Sequence, residues 1–372
     1  MNYFTESLRD FISSNINISN KFEFEQFKVG RSNITYKILY IFLFLFLNVD
    51  IALSKTNEVN IYSYRQPQLI QPLLDEFTKD TGIKTNILYA TSGLVEKMIR
   101  ESNNGSADIL LTVGIGRLID AVNGNIAQRV NSRIINENIP EQYRDKDGMW
   151  VGLTARSRVI FASKERVTEN DLTYEDLSDE KWFGRISSRS GQHEYNLTLF
   201  SSMLVNNGEE KFINWLEGLK NNLAIKPQGN DREQVKRIYS GLCDISLGNS
   251  YYMAQMLLND KEPEQKDWAN SVKIIMPNSN ERGTHIDISG AIISKYAPNK
   301  DNALKLLEFL TTDKAQRIYA ELNHEYPLKN GTEISTIVSG FGVLNADTTD
   351  LLSIAESRSK ASRIVDIVSF DN

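Results

Sequence analysis

The chain has 372 residues, of which 41% are hydrophobic and 24% are charged, a balance typical of a globular protein with room for two compact domains. Its formal net charge of −6 argues against a nucleic-acid-binding protein, because such proteins carry a positive surface. A single cysteine, Cys243, excludes a disulfide framework, and three histidines leave little material for a histidine-based metal site or catalytic triad. Any metal chemistry must therefore rest mainly on oxygen ligands.

Residues 1–54 are typical of a leader that carries a secretory signal. The predominantly apolar run at 38–49 is too short to cross a membrane, which needs about 20 apolar residues, and positive charge precedes it. Ala52 and Ser54 are small residues suited to the −3 and −1 positions of a cleavage site. An uncleaved anchor is the alternative, which Asp50 disfavours. We therefore expect the leader to be removed and the mature protein to be exported.

From Val59 onward, short apolar runs alternate with segments in which apolar residues recur at helical spacing. The runs predict strands at 59–62, 84–89 and 107–112. Between the first two strands, apolar residues from Ile70 to Phe77 recur at i, i+3, i+4 and i+7, and a second helical face begins at Leu94. This β-α-β-α-β order implies a parallel sheet covered by helices on both faces.

A comparable block follows later in the chain, where helical spacing at 212–219 and 303–310 flanks an apolar run at 243–247. The extended segments 151–162 and 285–294 are predicted to cross between the two blocks as paired hinge strands. Ligands of open α/β sheets bind beyond the carboxyl ends of the strands, so the cleft between two such lobes is the expected site. The predicted fold class is α/β, with the two-lobed architecture of a periplasmic binding protein.

The hinge strands also set the predicted domain boundaries. After the leader, lobe 1 is expected at 55–155 and lobe 2 at 156–285. Residues 286–372 are expected to return to lobe 1 and to end in C-terminal helices. Each lobe then has the usual size of a domain.

The first predicted strand is followed by the motif Tyr62-Ser63-Tyr64-Arg65-Gln66-Pro67. Pro67 stops the strand because it cannot donate to a ladder. Arg65 is left near the carboxyl edge of the sheet, where its guanidinium suits an oxyanion, and an ordinary surface arginine is the alternative. A later segment, 323–327, follows a predicted helix and is expected to cap it, with a place in the cleft wall as the alternative.

Two further motifs place tyrosines in the first turns of predicted helices. In Arg189-Ser190-Gly191-Gln192-His193-Glu194-Tyr195-Asn196, the backbone amides at Ser190 and Gly191 are expected to face a bound anion. In Gly248-Asn249-Ser250-Tyr251-Tyr252, a strand gives way to a helix, so that two adjacent phenols can reach one point. Packing in the core or at its rim is the alternative for all three tyrosines.

Together, Tyr195, Tyr251 and Tyr252 suit a ferric ion. Fe³⁺ is a small, hard cation that prefers anionic oxygen donors, and phenolate is the strongest such donor among side chains. Because tyrosine ionises near pH ~10, only a highly charged metal holds it as phenolate at neutral pH. Three phenolates balance Fe³⁺ and leave coordination positions for a small oxyanion, whose charge Arg65 and Arg189 would offset. Calcium or magnesium would call for carboxylate clusters, which these motifs lack.

These motifs, with 283–290 and Glu325-Tyr326-Pro327, resemble the ferric-iron-binding proteins of bacterial ABC importers. The similarity runs from about Glu58 to the end of the sequence. It implies a two-lobed, hinge-linked binding protein, not an enzyme, that holds Fe³⁺ in its cleft. It also implies a periplasmic location and delivery of the ion to an ABC permease in the inner membrane. The metal-binding tyrosines of that family correspond to Tyr195, Tyr251 and Tyr252.

One departure from the family concerns the first motif. Many relatives carry His-Tyr after its arginine, where this chain has Gln66-Pro67. In this respect the chain resembles the subgroup that uses three tyrosines and a synergistic anion such as carbonate. The resemblance therefore implies that Arg65, Gln66, Arg189 and Tyr64 contact the anion or surround the metal rather than bind it. We expect a monomer without a nucleic-acid partner.

Two other functions stay open at this point. The chain can be a binding protein of the same fold for a small organic or inorganic anion, with the tyrosines packed around it. It can also be a hydrolase that uses Ser190 and His193, although no Gly-x-Ser-x-Gly elbow or orienting acid accompanies them. A visible phenolate–Fe³⁺ band separates the first prediction from the anion-binding alternative. Unchanged iron binding in a Tyr195→Phe, Tyr251→Phe, Tyr252→Phe triple variant would favour the hydrolase.

Overall fold

A nine-stranded sheet runs through residues 57–372, the part of the chain that this computed structural model describes. The predicted leader at 1–54 lies outside the described residues. The strands are β1 (Glu58–Ser63), β2 (Lys84–Tyr89), β3 (Ile109–Thr112), β4 (Val151–Ser163), β5 (Ile186–Ser187), β6 (Ile245–Asn249), β7 (Val272–Ile275), β8 (Ile286–Ile293) and β9 (Tyr326–Pro327). Their main order across the sheet is β2-β1-β3-β8-β4-β6-β5, and β7 and β9 also pair with β4.

Helices connect these strands and cover the sheet. They are α1 (Pro67–Thr81), α2 (Leu94–Glu101), α3 (Ile115–Asn123), α4 (Arg133–Asn138), α5 (Glu194–Asn207), α6 (Glu209–Asn221), α7 (Asp231–Tyr239), α8 (Ser250–Leu257), α9 (Glu264–Asn270), α10 (Lys300–Leu310), α11 (Asp313–Ile318), α12 (Thr336–Ser339) and α13 (Leu351–Val368). A π turn at Tyr319–Asn323 follows α11. Within residues 57–372, no helix combines the length and the hydropathy that crossing a membrane requires.

The first three strands confirm the predicted parallel block. β1 pairs in parallel with both β2 and β3. The helix predicted between β1 and β2 is α1, and its buried face consists of the four apolar residues that set the helical spacing, Ile70, Leu73, Leu74 and Phe77. Burying each of these side chains contributes about 1.5–3 kcal/mol. The residues that the helical spacing predicts on the buried face of α1 are thus the ones that the structure buries.

Two long strands, β4 and β8, correspond to the segments predicted at 151–162 and 285–294, and both are buried along their whole length. β4 pairs with β8 from Val151 to Ser157 and with β6 from Arg158 onward. The first half of β4 therefore belongs to the side of the sheet that holds β8 and β3, and its second half belongs to the side that holds β6 and β5. The strand predicted at 243–247 begins two residues later, as β6.

The apolar core divides into clusters along this strand. The first cluster takes its residues from 59–155 and 286–355, with Ala254 as the exception. The other two clusters take theirs from 159–276 and 361–370. Helix α13 contributes its first turns to the first cluster and its last turns to the second. The domain boundaries at 155/156 and 285/286 stay a prediction.

A side chain at Gly290 of β8 would meet the backbone of β4, so we expect Gly290→Ala to be destabilising. A Cβ at this position would lie 2.6 Å from the carbonyl oxygen of Val151 and 2.7 Å from Leu118 Cδ1. Overpacking of this kind costs about 1–3 kcal/mol. The exposed Gly340, where the nearest atom to an added Cβ is 3.4 Å away, provides the matched Gly340→Ala control, with an expected change within about 0.5 kcal/mol. Urea unfolding measures both, and equal midpoints would contradict the packing argument.

Candidate metal centre

The side chains of Tyr195, Tyr251 and Tyr252 line one cavity of about 630 Å³. The Oη atoms of Tyr195 and Tyr251 are 3.3 Å apart. The rings of Tyr251 and Tyr252 have their centroids 4.3 Å apart. The structure therefore brings together the three tyrosines that the sequence motifs single out, and it does so in the first turns of α5 and α8.

Local sequence explains why these tyrosines stand at helix starts. α8 begins at the residue after β6 ends, so no loop separates strand from helix. Gly248 makes this junction possible, because a Cβ there would lie 1.9 Å from the Phe161 ring. At the start of α5, His193 is the N-cap residue, and its Nδ1 accepts a hydrogen bond from the Tyr195 backbone N–H at 3.2 Å. The helices thus begin one residue before Tyr195 and one residue before Tyr251.

Burial controls the ionisation of these groups. It raises the pKa of Tyr251 well above its ordinary value, and the neighbouring phenols of Tyr195 and Tyr252 raise it further. Burial and the Tyr195 phenol raise the pKa of Tyr252 to about 12. Burial, followed by the charge of Arg189, lowers the pKa of His193 to about 3, so its ring is neutral. At neutral pH the Tyr251 and Tyr252 phenols therefore keep their protons unless a strong positive charge replaces them.

A buried carboxylate ties the two tyrosine-bearing segments together. Asp231, the first residue of α7, is completely buried. It accepts hydrogen bonds from Arg158 Nη1 at 3.2 Å, from Arg189 Nη1 at 3.2 Å and from the backbone N–H of Asn249 at 3.3 Å. Arg158 Nη2 also donates to Asn196 Oδ1 at 2.6 Å. The network links Asn196, the residue after Tyr195, to Asn249, the residue before α8. It therefore sets the spacing of the phenols.

Guanidinium groups lie over the tyrosine rings. Arg156 and Arg189 stand 5.3 Å and 5.1 Å from the centroid of the Tyr195 ring. Arg232 stands 4.8 Å from the centroid of the Tyr252 ring. Such contacts are favourable for neutral rings and more so for phenolates. Among residues 57–372, no group of three or more His, Cys, Asp or Glu side chains is placed to hold a metal ion.

The residues predicted to reach the site from the first motif line the same cavity, but most of their polar groups already have partners. The Oη of Tyr64 accepts the backbone N–H groups that open α2, at 2.9 Å and 3.0 Å. Arg65 forms a two-pronged ion pair with Glu325, at 2.8 Å and 2.9 Å, and also donates to Ser289 Oγ at 2.7 Å. Gln66 is exposed and accepts a hydrogen bond from a neighbouring glutamine. Their roles toward an anion stay predictions.

The sequence analysis missed Arg156, Arg158 and Asp231. A signal for the two arginines was present, because they are the charged residues of strand β4 and, two positions apart, point to the same face. The segment 323–327 was expected to cap a helix, and the structure also places part of it in the cavity wall. His324, with a φ of 58°, ends the π turn, but it also lines the cavity together with Glu325.

The anion cradle predicted at Ser190 and Gly191 holds a carboxylate of this chain. Gly191 N–H donates to Asp371 Oδ1 at 2.7 Å, and Ser190 Oγ donates to Asp371 Oδ2 at 2.7 Å. His193 is engaged as the N-cap of α5. In residues 57–372, no hydrogen bond joins the side chains of Ser190 and His193, and this arrangement gives the hydrolase alternative no support.

Glu325 is expected to be essential for stability, because it pairs a buried arginine. Burial raises the pKa of the Glu325 carboxyl, but the charge and hydrogen bonds of Arg65, together with Arg156 and Thr154, outweigh it, so the pKa lies below its ordinary value. Glu325→Ala leaves Arg65 buried without its counter-charge, which costs about 3–5 kcal/mol near pH 7. Because the folded pKa is depressed, this contribution is present above pH ~4.3 and is lost as the pH falls through the folded pKa.

Urea unfolding of the iron-free protein at pH 7 and below pH ~4 measures this difference. The exposed Glu321 supplies the control Glu321→Ala, which is expected to change the free energy of unfolding by no more than about 0.5 kcal/mol at either pH. A Glu325→Ala effect of the same small size would contradict the buried ion pair.

Comparisons with known proteins show which family this chain belongs to. The family model described as "Bacterial extracellular solute-binding protein" matches residues 104–337. Iron uptake protein A1 of Synechocystis sp. is 41% identical over 310 residues, which cover 83% of this chain and 86% of that protein.

Solved structures give the same result. Apo ferric ion-binding protein A of Pasteurella haemolytica superposes with a TM-score of 0.81 at 50% identity, covering 85% of this chain and 99% of that one. A Trichodesmium protein in complex with iron and citrate has a TM-score of 0.80 at 38% identity, covering 84% and 99%. These matches confirm the predicted two-lobed α/β fold and the resemblance to ferric-iron-binding proteins. The chain belongs to the family of bacterial extracellular solute-binding proteins.

Proposed function

We propose that this protein captures ferric iron through the phenolate oxygens of Tyr195, Tyr251 and Tyr252. The observation that carries the proposal is the meeting of these phenols in one cavity, with the Tyr195 and Tyr251 oxygens 3.3 Å apart. Relatives of this chain are named iron uptake protein A1 and ferric ion-binding protein A, and these names support the same ion. In this proposal the protein binds a solute and releases it unchanged.

The chemistry of the donor set favours a trivalent ion. Burial raises the pKa of Tyr251 and Tyr252, so a weakly charged cation would not displace their protons. Fe³⁺ offsets the free-energy cost of removing these protons, because three phenolates neutralise the ion and are hard anionic donors. The guanidinium groups of Arg156, Arg189 and Arg232 beside the rings lower the cost of the phenolate form further.

An anion is expected to complete the coordination of the metal. Within residues 57–372, Arg117 and Arg232 line the cavity without a carboxylate in ion-pair distance. A synergistic anion such as carbonate would find charge complementarity there. The citrate in the Trichodesmium complex is an anion found with iron in a relative. We assign Arg65, Gln66 and Tyr64 to the wall of the site, because Arg65 and Tyr64 are held by Glu325 and by the start of α2.

The remaining parts of the proposal concern the route of the ion. We infer that residues 1–54 direct export and are removed, and that the mature protein works as a monomer in the periplasm. The two proposed lobes would close on the ion and present it to an ABC permease. One lobe consists of 55–155 and 286–372, and the other of 156–285. Membership in a family of extracellular solute-binding proteins supports this order of events.

Replacing single ligands tests the metal site. Tyr195→Phe, Tyr251→Phe and Tyr252→Phe are each expected to lower ferric affinity more than about 100-fold, because changing a group that merely contacts a ligand already costs 10–100-fold. Each is also expected to weaken the visible phenolate-to-iron band. Titration with ferric iron and bicarbonate, followed by absorbance, measures both. Tyr239→Phe, at a half-exposed position on α7, is the control and should leave the band unchanged; wild-type-like bands in all three ligand variants would disprove the assignment.

Acid is expected to release the ion. Because the pKa values of Tyr251 and Tyr252 are raised, each phenol gives up a proton when iron binds near neutral pH. Affinity should therefore fall by at least about tenfold for each pH unit lost between pH 7 and 5. Competition with a chelator of known protonation behaviour gives the slope. The slope should decrease by about one proton in Tyr252→Phe, and an affinity independent of pH would contradict binding through phenolates.

A second candidate is an anion-binding protein of the same fold, which the guanidiniums of Arg117 and Arg232 favour, because neither has a carboxylate in ion-pair distance within residues 57–372. Calorimetric titration with citrate or bicarbonate in the absence of iron separates the two candidates. Tight binding of the anion alone, without any visible band on adding iron, would support this second function. Binding of the anion only when iron is present supports the ferric site.

A further inference from the structure

Near the end of the sequence, Asp371 occupies the amide-rich loop that precedes α5. Its Oδ1 accepts the Gly191 N–H at 2.7 Å. Its Oδ2 accepts from Ser190 Oγ at 2.7 Å and from the Gln192 N–H at 3.4 Å. Two backbone donors and a hydroxyl thus converge on one carboxylate, which is the arrangement expected of a bound anion.

Packing holds this carboxylate in place. The chain turns after α13 at Ser369, which has a left-handed φ of 54°. Phe370 is fully buried, and its ring centroid lies 5.6 Å from that of Phe200 on α5. Gly191 allows the contact, because a Cβ there would lie 2.7 Å from Phe370 Cδ1. The segment 369–371 therefore docks on the loop by apolar contact as well as by charge.

Other contacts fix the same loop from its remaining sides. The Gln192 side chain donates to the Ser362 carbonyl at 3.0 Å and to Asp366 Oδ1 at 2.8 Å, both on α13. The Asn196 amide donates to the carbonyls of Arg189 and Ser190 at 3.0 Å and 3.1 Å. Within the loop, the Gln192 N–H also donates to Ser190 Oγ at 3.1 Å, and the His193 N–H donates to the Ser190 carbonyl at 3.1 Å. Asp371 is thus the carboxylate partner of the Gly191 N–H and of the Ser190 hydroxyl, which itself accepts the Gln192 N–H.

We infer that Asp371 is a positioning residue for the metal ligand Tyr195. By filling the loop's amide cradle with an internal carboxylate, it fixes the loop that leads into His193, and His193 in turn caps the helix turn that carries Tyr195. The effect on iron rests on the proposed role of Tyr195, whereas the effect on the loop does not. A consequence is that an external anion of the metal site does not bind in this cradle, because an internal carboxylate already fills it.

The test uses Asp371→Ala, with Asn372→Ala at the adjacent exposed position as the matched control. In the iron-free protein, amide hydrogen exchange at 190–195 is expected to accelerate about tenfold or more in Asp371→Ala alone. In the iron-loaded protein, the dissociation rate of iron is expected to rise about tenfold, the factor that corresponds to 1.4 kcal/mol. The urea midpoint reports whether the variant is folded.

Chemical rescue separates positioning from a general loss of structure. Asp371→Ala lacks one carboxylate group, and formate supplies that group in a molecule small enough to enter the cradle. Formate, compared with chloride at equal ionic strength, should restore slow exchange at 190–195 in Asp371→Ala and change nothing in the wild type. The Asp371→Glu variant, which keeps the charge, should lie between wild type and Asp371→Ala.

The outcomes distinguish the two proposals. If the wild type shows no ferric band, the proposed function fails, while exchange at 190–195 still tests the cradle. If the wild type binds iron but Asp371→Ala exchanges and releases iron at wild-type rates, the positioning role is overturned. Faster exchange that formate does not reverse also overturns it, because a specific carboxylate site is then not what orders the loop.

Discussion

The buried carboxylate of Asp231 is the constraint on which the tyrosine site depends. It has no solvent access and is neutralised by Arg158 and Arg189, which come from the β4 strand and from the loop before α5. Removing either partner of such a pair leaves an uncompensated charge in a low-dielectric interior, so the three residues keep one arrangement. Because the same carboxylate accepts the Asn249 N–H, the helix starts that present Tyr195 and Tyr251 are held at a fixed separation.

Positive charge is distributed around the cavity in two distinct ways. Arg65, Arg156 and Arg189 are buried and paired with Glu325, Asp287 and Asp231, so they hold the wall together. Arg117 and Arg232, within the described residues, lie over the Tyr64 and Tyr252 rings without a carboxylate partner. The paired arginines shape the site, and the unpaired ones give it a positive potential that favours phenolate and a companion anion.

Segments distant in sequence complete the site. Arg65 and Glu325 are 260 residues apart, and Ser190 and Asp371 are 181 residues apart, yet each pair forms a direct contact. The sequence motifs predict that Arg65 and the loop at Ser190 bind an anion. Their partners turned out to be carboxylates of the same chain. A guanidinium or an amide pair has the same local sequence whether its anion is internal or external, so sequence alone does not distinguish the two.

By itself, the sequence determined the elements whose physics is local. Apolar spacing predicted α1 and the parallel strands β1 to β3, and short strand-to-helix motifs placed the three tyrosines in first helical turns, because side-chain periodicity and turn chemistry act over a few residues. Only the tertiary structure decided that Tyr195 and Tyr251 meet at 3.3 Å, that Asp231 receives two arginines, and that Glu325 neutralises Arg65. The partner of a buried charge is selected when distant strands and helices pack, and no local pattern encodes that choice.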